Sequence, residues 1–242
     1  MNVAHSQTAY EIAEYGDAGL LVTYRQPDAG DRWEAAQALQ SALLGHSGDG
    51  VVDVVASFET AFVAFDPVKT DHTTLTALIV TLAGRPAATR SPRLFRVPAV
   101  YGGDRGPDLA VVADELGIDP DDVVDLHTAG PWTVRFRGSP TASPMMDGPR
   151  MPASISRNPV PRTHLAPGSV AVSGQQCLIY PVVSPGGWRL IGQTPVRLLD
   201  LTLDELVPYR PGDQLQFFAI DERSWDTWSS TRLAPVSVST AS

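Results

Sequence analysis

Apolar residues recur along this chain at two spacings, and the change from one to the other divides it. In residues 31–44, Trp33, Ala36, Leu39, Ala42 and Leu43 fall on a helical repeat. Asp31 offers an N-cap, and Gly45 with Gly48-Asp49-Gly50 closes the run. A second helix is expected over residues 71–83, with Leu75, Leu78, Ile79 and Leu82 on one face. Around these helices, residues 19–24, 51–55 and 58–65 read as strands. The order strand, helix, strand, strand, helix predicts a ferredoxin-like α/β domain over residues 1–88. Residues 84–92 lack periodicity and read as a linker.

Beyond the linker the texture changes. Residues 94–101 form a strand pattern ending at Gly102-Gly103, and residues 107–116 and 120–128 form two short helical ones. Short β-type runs then follow at 132–136, 169–172, 177–181, 188–191 and 214–219, separated by Gly and Pro. That punctuation predicts a closed or partly closed β-barrel over residues 89–222, giving an α+β chain. Residues 223–242, rich in Ser and Thr, read as a tail or a partner-binding extension.

Composition narrows the function. The chain has 242 residues, 43% of them apolar and 19% charged, as in a globular protein of one large or two small domains. A formal charge of −9 argues against nucleic acid and against an anionic membrane surface. Lys69 is the sole lysine, so a lysine nucleophile has one candidate. Cys177 is the sole cysteine, which excludes an intrachain disulfide and a CxxC metal site. Neither a secretory leader pattern nor an 18-residue apolar run is present, and the expectation is a cytoplasmic protein. No P-loop, GxGxxG, HExxH or GxSxG occurs. Charge is uneven: residues 104–125 hold eight acidic residues and one Arg, whereas residues 135–162 hold five Arg and one Asp.

The densest motifs are Pro161-Arg162-Thr163, Pro167-Gly168-Ser169-Val170-Ala171-Val172, Gln176, Ser184-Pro185-Gly186-Gly187-Trp188 and Gly192-Gln193-Thr194-Pro195. Two readings are open. Tight turns joining short strands need Gly and Pro, and Trp188 would fill the barrel. Alternatively, a Pro-Gly-Gly-Trp turn presents backbone N–H groups beside an aromatic ring and holds an anionic or amide ligand.

These motifs, with Arg210-Pro211-Gly212-Asp213-Gln214-Leu215-Gln216-Phe217 downstream, resemble the B subunit of 5-oxoprolinase and allophanate hydrolase subunit 1, a family that also includes an inhibitor of a sporulation histidine kinase. Tyr15-Gly16-Asp17-Ala18-Gly19-Leu20-Leu21-Val22, the stretch 52–58, Val97-Pro98-Ala99-Val100-Tyr101-Gly102-Gly103 and Gly106-Pro107-Asp108-Leu109 are similar to earlier family segments. The resemblance implies a cyclophilin-like barrel after the α/β domain. It implies a partner, the counterpart of the C subunit of 5-oxoprolinase or of allophanate hydrolase subunit 2. It also implies ATP-dependent ring opening of 5-oxoproline, with ATP used by the complex and not bound by this chain alone.

The resemblance also places a histidine at His127, implying a general acid or base; a structural histidine is the other reading. Arg162, and less directly Arg157, could clamp a carboxylate. Gln176 could bond an amide or carboxylate, and Gly138 with Pro185, Gly186, Gly187 and Trp188 would line the substrate site. His164 reads as exposed, and no metal site is expected. One segment departs from the family: its Gly-Phe-x-Pro-Gly-Phe-x-Tyr-Leu is here 138–146, Gly-Ser-Pro-Thr-Ala-Ser-Pro-Met-Met. Two further readings therefore stand beside the amidohydrolase subunit: a non-enzymatic regulator of a histidine kinase, and a standalone biosynthetic enzyme with a changed substrate.

Overall fold

The computed structural model describes residues 9–83, 90–229 and 231–236. The chain forms two compact units, Met1–Arg90 and Ser91–Ser242. Residues 84–89 of the expected linker, and with them the expected boundary at 88, lie outside the described residues.

The first unit carries β1 (Tyr10–Glu14), β2 (Gly19–Tyr24), α1 (Ala29–Leu44), β3 (Val51–Ala56), β4 (Thr60–Phe65) and α2 (His72–Leu82). The sheet order is β1-β2-β4-β3, antiparallel throughout. Strand β1 adds a hairpin partner that the pattern did not predict, because five residues at a sheet edge with one half-buried face carry little alternation. Helix α1 begins earlier than expected. Asp28, not Asp31, caps it, its carboxylate accepting from the Gly30 and Asp31 amides at 2.7 and 3.1 Å. Ala36, Leu39 and Leu43 of α1 and Leu75, Ile79 and Leu82 of α2 pack on Leu20, Val22, Val63 and Phe65.

The second unit comprises β5 (Leu94–Tyr101), α3 (Leu109–Leu116), α4 (Pro120–Thr128), β6 (Trp132–Gly138), β7 (Ser143–Asp147), β8 (Arg162–Leu165), β9 (Ser169–Ser173), β10 (Gln176–Ile179), β11 (Ser184–Gly186), β12 (Arg189–Gln193), β13 (Gln214–Ala219) and α5 (Trp225–Ser229). Seven strands close a barrel in the order β10-β7-β6-β13-β5-β12-β9. Strands β5 and β13 pair in parallel. Alternation along each strand sends Phe95, Val97, Ala99, Trp132, Val134, Met146, Val170, Val172, Cys177, Ile191, Leu215 and Phe217 inward. Helices α3 and α4 add Leu109, Val112, Ala113, Leu116 and Val123 to the same core. Strands β8 and β11 form a separate two-stranded sheet. Leu165 of β8 packs with Ala171, Leu178, Tyr180 and Leu190, side chains that alternate with the inward ones. This sheet therefore covers the outer wall.

Asp213 closes the corner where β5, β6 and β13 meet. Its side chain is fully buried and accepts from Arg93 Nη2 at 2.6 Å, from the Arg93 amide at 3.1 Å and from the Arg210 amide at 2.9 Å. Its own carbonyl accepts from the Val134 amide at 2.8 Å. Burial pushes this carboxyl upward in pKa, but hydrogen bonds from Arg93 and the Arg210 amide outweigh it and hold Asp213 below the usual carboxylate range.

The expected tail is in part structural. Leu233 is only 2% exposed and joins the barrel core, Pro235 bridges to Phe95, and Arg232 bridges to Arg197. The Ser/Thr-rich composition hid one buried leucine among polar neighbours. Residues 237–242 of that tail lie outside the described residues.

Asp213→Ala should strip Arg93 of its buried partner and leave two backbone N–H groups without that acceptor. The expected loss is ~3 kcal/mol in the second unit, read as a lowered urea midpoint with an unchanged m-value; a change below ~0.5 kcal/mol would show that this corner holds nothing together.

Candidate functional site

The candidates separate onto the two sides of the barrel wall. His127, at the end of α4, is fully buried among Tyr101, Trp132 and Phe217, with ring centroids 5.6, 5.1 and 4.5 Å away. Its Nδ1 lies 2.8 Å from the Tyr101 hydroxyl and its Nε2 lies 3.3 Å from Cys177 Sγ. One tautomer satisfies all three groups: Tyr101 donates to Nδ1, Nε2–H donates to sulfur, and the thiol donates to the Leu178 carbonyl at 3.8 Å. Burial lowers the His127 pKa to about 3 and pushes the Cys177 thiol and the Tyr101 phenol well up. His127 is thus neutral near pH 7 and shielded from solvent. The expected acid or base is the polar plug of a packed interior, the structural alternative.

The remaining candidates lie outside. Arg162 forms a two-pronged pair with Asp108, Nη1 and Nη2 each 2.7 Å from a carboxylate oxygen. Asp108, itself 5% exposed, also accepts from the Leu190 amide at 2.8 Å and Asn158 Nδ2 at 3.4 Å. Burial raises its pKa, and the Arg162, Leu190 and Asn158 bonds more than offset that, keeping Asp108 below the carboxylate norm. Arg162 therefore ties the outer sheet to the start of α3; its donor fork is taken. Pro185 and Gly186 of the expected turn lie in β11, paired with β8, and Asn158 holds the connection that follows, its backbone amide donating to the Gly187 carbonyl at 2.7 Å and its side chain to the Trp188 carbonyl at 3.2 Å.

The glycines serve close packing. A Cβ on Gly186 would run into the Tyr180 hydroxyl and Leu165, and one on Gly168, at φ 80°, into the Thr194 carbonyl. Pro185 is exposed and Gly187 is buried beside Pro161. Trp188 packs against the outer cluster of Leu165, Leu178 and Leu190 instead of filling the barrel. Gly138 ends β6, and a Cβ there would press on Met145 Cγ at 2.7 Å. The divergent 138–146 segment is the β6–β7 hairpin. Met146 fills the barrel, Met145 packs outside, and Ser139 and Ala142 adopt positive φ of 62° and 57°. His164 is exposed, as expected.

Gln176 is the candidate left available. Its neighbour Gln175 is engaged, bonding the 151–153 loop through the Met151 amide (2.9 Å) and the Ala153 carbonyl (2.9 Å). The Gln176 side chain makes no hydrogen bond among the described residues. Strand register sets it in an outward row with Ser173, Asp147 and Thr133. Trp188, one residue before the Arg189–Val172 pair, falls beside Ser173 at the end of this row. Arg135 Nε holds Asp147 at 2.7 Å. The row was not legible as a unit in the sequence, because its members come from four separate strands.

Among the described residues, no cluster of three or more His, Cys, Asp or Glu side chains is placed to hold a metal ion, and no helix is long and apolar enough to cross a membrane. A shallow groove of about 500 Å³ at the α3–α4 turn is lined by Asp114, Asp119 and Asp122 and would repel an anionic ligand.

Several known proteins share this sequence pattern and architecture. The profile of the carboxyltransferase domain, subdomains C and D, matches residues 10–209. The B subunit of 5-oxoprolinase from Escherichia coli O157:H7 is 40% identical over 125 residues, covering 52% of this chain and 57% of that protein. Its counterpart from Bacillus subtilis (strain 168) is 35% identical over 136 residues, covering 56% and 57%. The chain thus spans just over half the length of these curated relatives. The crystal structure of TTHA0988 superposes with a TM-score of 0.74 at 28% identity, over 84% of this chain and 40% of that one.

The buried histidine makes stability pH-dependent with a definite sign. Its folded pKa of about 3 lies below the unfolded value of about 6.5. Between those values the unfolded chain binds a proton that the folded one excludes, so stability falls as pH drops from about 6.5 toward about 3, by up to ~1.4 kcal/mol per unit. Urea titrations at pH 7 and pH 5 should show a smaller pH-dependent loss for His127→Phe than for the parent chain; equal losses would contradict a buried neutral imidazole.

Proposed function

We propose that this chain, which belongs to the carboxyltransferase-domain family of subdomains C and D, is one subunit of a heteromeric ATP-dependent amidohydrolase resembling 5-oxoprolinase. The observation that carries the reading is 40% identity to the B subunit of a 5-oxoprolinase. Its substrate is a small amide or lactam, with 5-oxoproline the first candidate. Its partner is the counterpart of the C subunit of 5-oxoprolinase or of allophanate hydrolase subunit 2. The N-terminal unit is read as a ferredoxin-like domain extended by β1, supported by β4 lying between β2 and β3, and the second unit as a cyclophilin-like barrel.

On this reading the chain supplies one wall of a site completed by the partner. Gln176 is the substrate-facing residue, because its amide projects outward without an internal partner among the described residues. The Pro185-Gly186-Gly187-Trp188 segment and the Gly138 hairpin border that wall. Arg162 acts as a positioning residue, locking the outer sheet through Asp108. ATP, when bound in the complex, would supply the free energy for ring opening. No phosphate-loop motif occurs in the sequence, and on this reading another subunit holds the nucleotide.

The regulator reading draws on a different observation: His127 and Arg162 are both committed internally. Saturating protein that leaves histidine-kinase autophosphorylation unchanged would remove it.

Co-expression with a counterpart of the C subunit should yield a stable complex that converts 5-oxoproline to glutamate only when ATP is present. Gln176→Ala should lower that rate at least about tenfold while stability stays within ~1 kcal/mol, because this half-buried side chain has no internal hydrogen bond among the described residues to lose. A chain that stays monomeric with that partner, or a Gln176→Ala complex of full activity, would count against the proposal.

A further inference from the structure

Arg105 lies in the glycine-rich loop after β5 and has no part in the wall described above. Its guanidinium is held on three sides. Nη1 donates to Gln193 Oε1 at 2.8 Å. Nη2 and Nε face the two carboxylate oxygens of Glu222, at 2.8 and 3.4 Å. The Trp225 ring lies against it, its centroid 3.5 Å from Cζ. Gln193 is itself fixed, its Nε2 donating to the Pro167 carbonyl at 2.7 Å. A planar donor fork oriented by an immobilised amide is suited to receiving a carboxylate at two points, and here the same chain provides that carboxylate.

The occupant comes from a stretch anchored firmly at its ends. Upstream, the Ile220 amide donates to the Ala99 carbonyl at 2.9 Å. Downstream, the Thr231 carbonyl accepts from the Arg197 amide at 2.9 Å, and Leu233 is buried in the barrel core. Between these anchors, neither the turn at Glu222–Ser224 nor α5 contains a fully buried residue. Besides Glu222 and Trp225 on Arg105, the half-buried Trp228 holds this stretch to the barrel, edge-on to Phe218 at 5.8 Å and against the margin of the core. Glu222 is 61% exposed, and an ion pair so open to solvent is weak. The two halves also differ in origin: Arg105 and Gln193 lie inside the family match at residues 10–209, whereas Glu222 and Trp225 lie beyond it.

We propose that Arg105, oriented by Gln193, is a binding site for a small-molecule carboxylate, and that residues 222–229 form a flap whose Glu222 occupies this site until the ligand displaces it. The closed flap lowers the apparent affinity by the fraction of molecules in which Arg105 is covered. The 5-oxoprolinase reading enters only as the source of one probe, since 5-oxoproline carries a ring carboxylate.

The test titrates the full chain at low ionic strength with glutarate and, separately, with 5-oxoproline, following tryptophan emission. Displacing Trp225 from the guanidinium should change that emission, and the change should vanish in Trp225→Phe. Glu222→Gln should bind both probes about fivefold tighter than the parent. Arg105→Met, with its folding checked by thermal melting, should bind neither, and Arg105→Lys should bind more weakly because it keeps the charge but loses the fork. The uncharged ring 2-pyrrolidinone should not bind. A glutarate affinity unchanged by Arg105→Met, or no tightening in Glu222→Gln, would overturn the proposal. Glutarate following the pattern while 5-oxoproline does not would support the site and count against 5-oxoproline as the substrate.

Discussion

A closed seven-strand barrel of this size must be filled by its own side chains, and that requirement organises the second unit. Strand alternation leaves each residue facing either the interior or the outer wall. The interior is occupied by Trp132, Met146, Phe217 and their neighbours, with α3 and α4 contributing to the same core. A polar group sent inward has to find its partners there. His127 does so by joining Tyr101 and Cys177 in one chain of hydrogen bonds. The side chain whose solution pKa most suggested catalysis is the one that the barrel uses to complete its packing.

Buried charge follows the same rule. Asp213 and Asp108 are almost fully enclosed, and each is met by an arginine fork plus backbone N–H donors, two for Asp213 and one for Asp108. Losing one partner of such a pair is costly, which makes these arginines fasteners. Asp213 joins the start of the parallel strand pair β5 and β13 to the neighbouring β6. Asp108 joins the outer sheet to the first barrel helix. Two groups are then placed to meet another molecule: Gln176, on the outer wall in its row of Ser173, Asp147 and Thr133, and Arg105, in the loop after β5, whose carboxylate partner sits in an exposed and weakly held stretch.

How much of this was visible in the sequence depended on whether the cause was local. Helix α2, capped by Asp71, and strand β5 follow from periodicity and flanking residues alone, and the two-unit layout follows from the change in texture. The amino-acid order also carried the family resemblance, because turn residues such as Pro167-Gly168 must stay in place for short strands to connect. Strand β1, the β6–β7 hairpin and the cap at Asp28 were not legible, since each rests on a partner strand or a side-chain bond that no short window of sequence contains.

The sequence by itself determined the α+β class, the glycine and proline corners of the barrel and the residue types available for chemistry, because those are consequences of neighbours along the chain. Only the tertiary structure decided on which side of the wall each candidate stands. Gln176 faces outward and its neighbour Cys177, which meets His127 of α4, faces inward; a one-residue change in the register of β10 would exchange the two. That register is set by hydrogen bonding between strands distant in the chain and by the volume of the core they enclose.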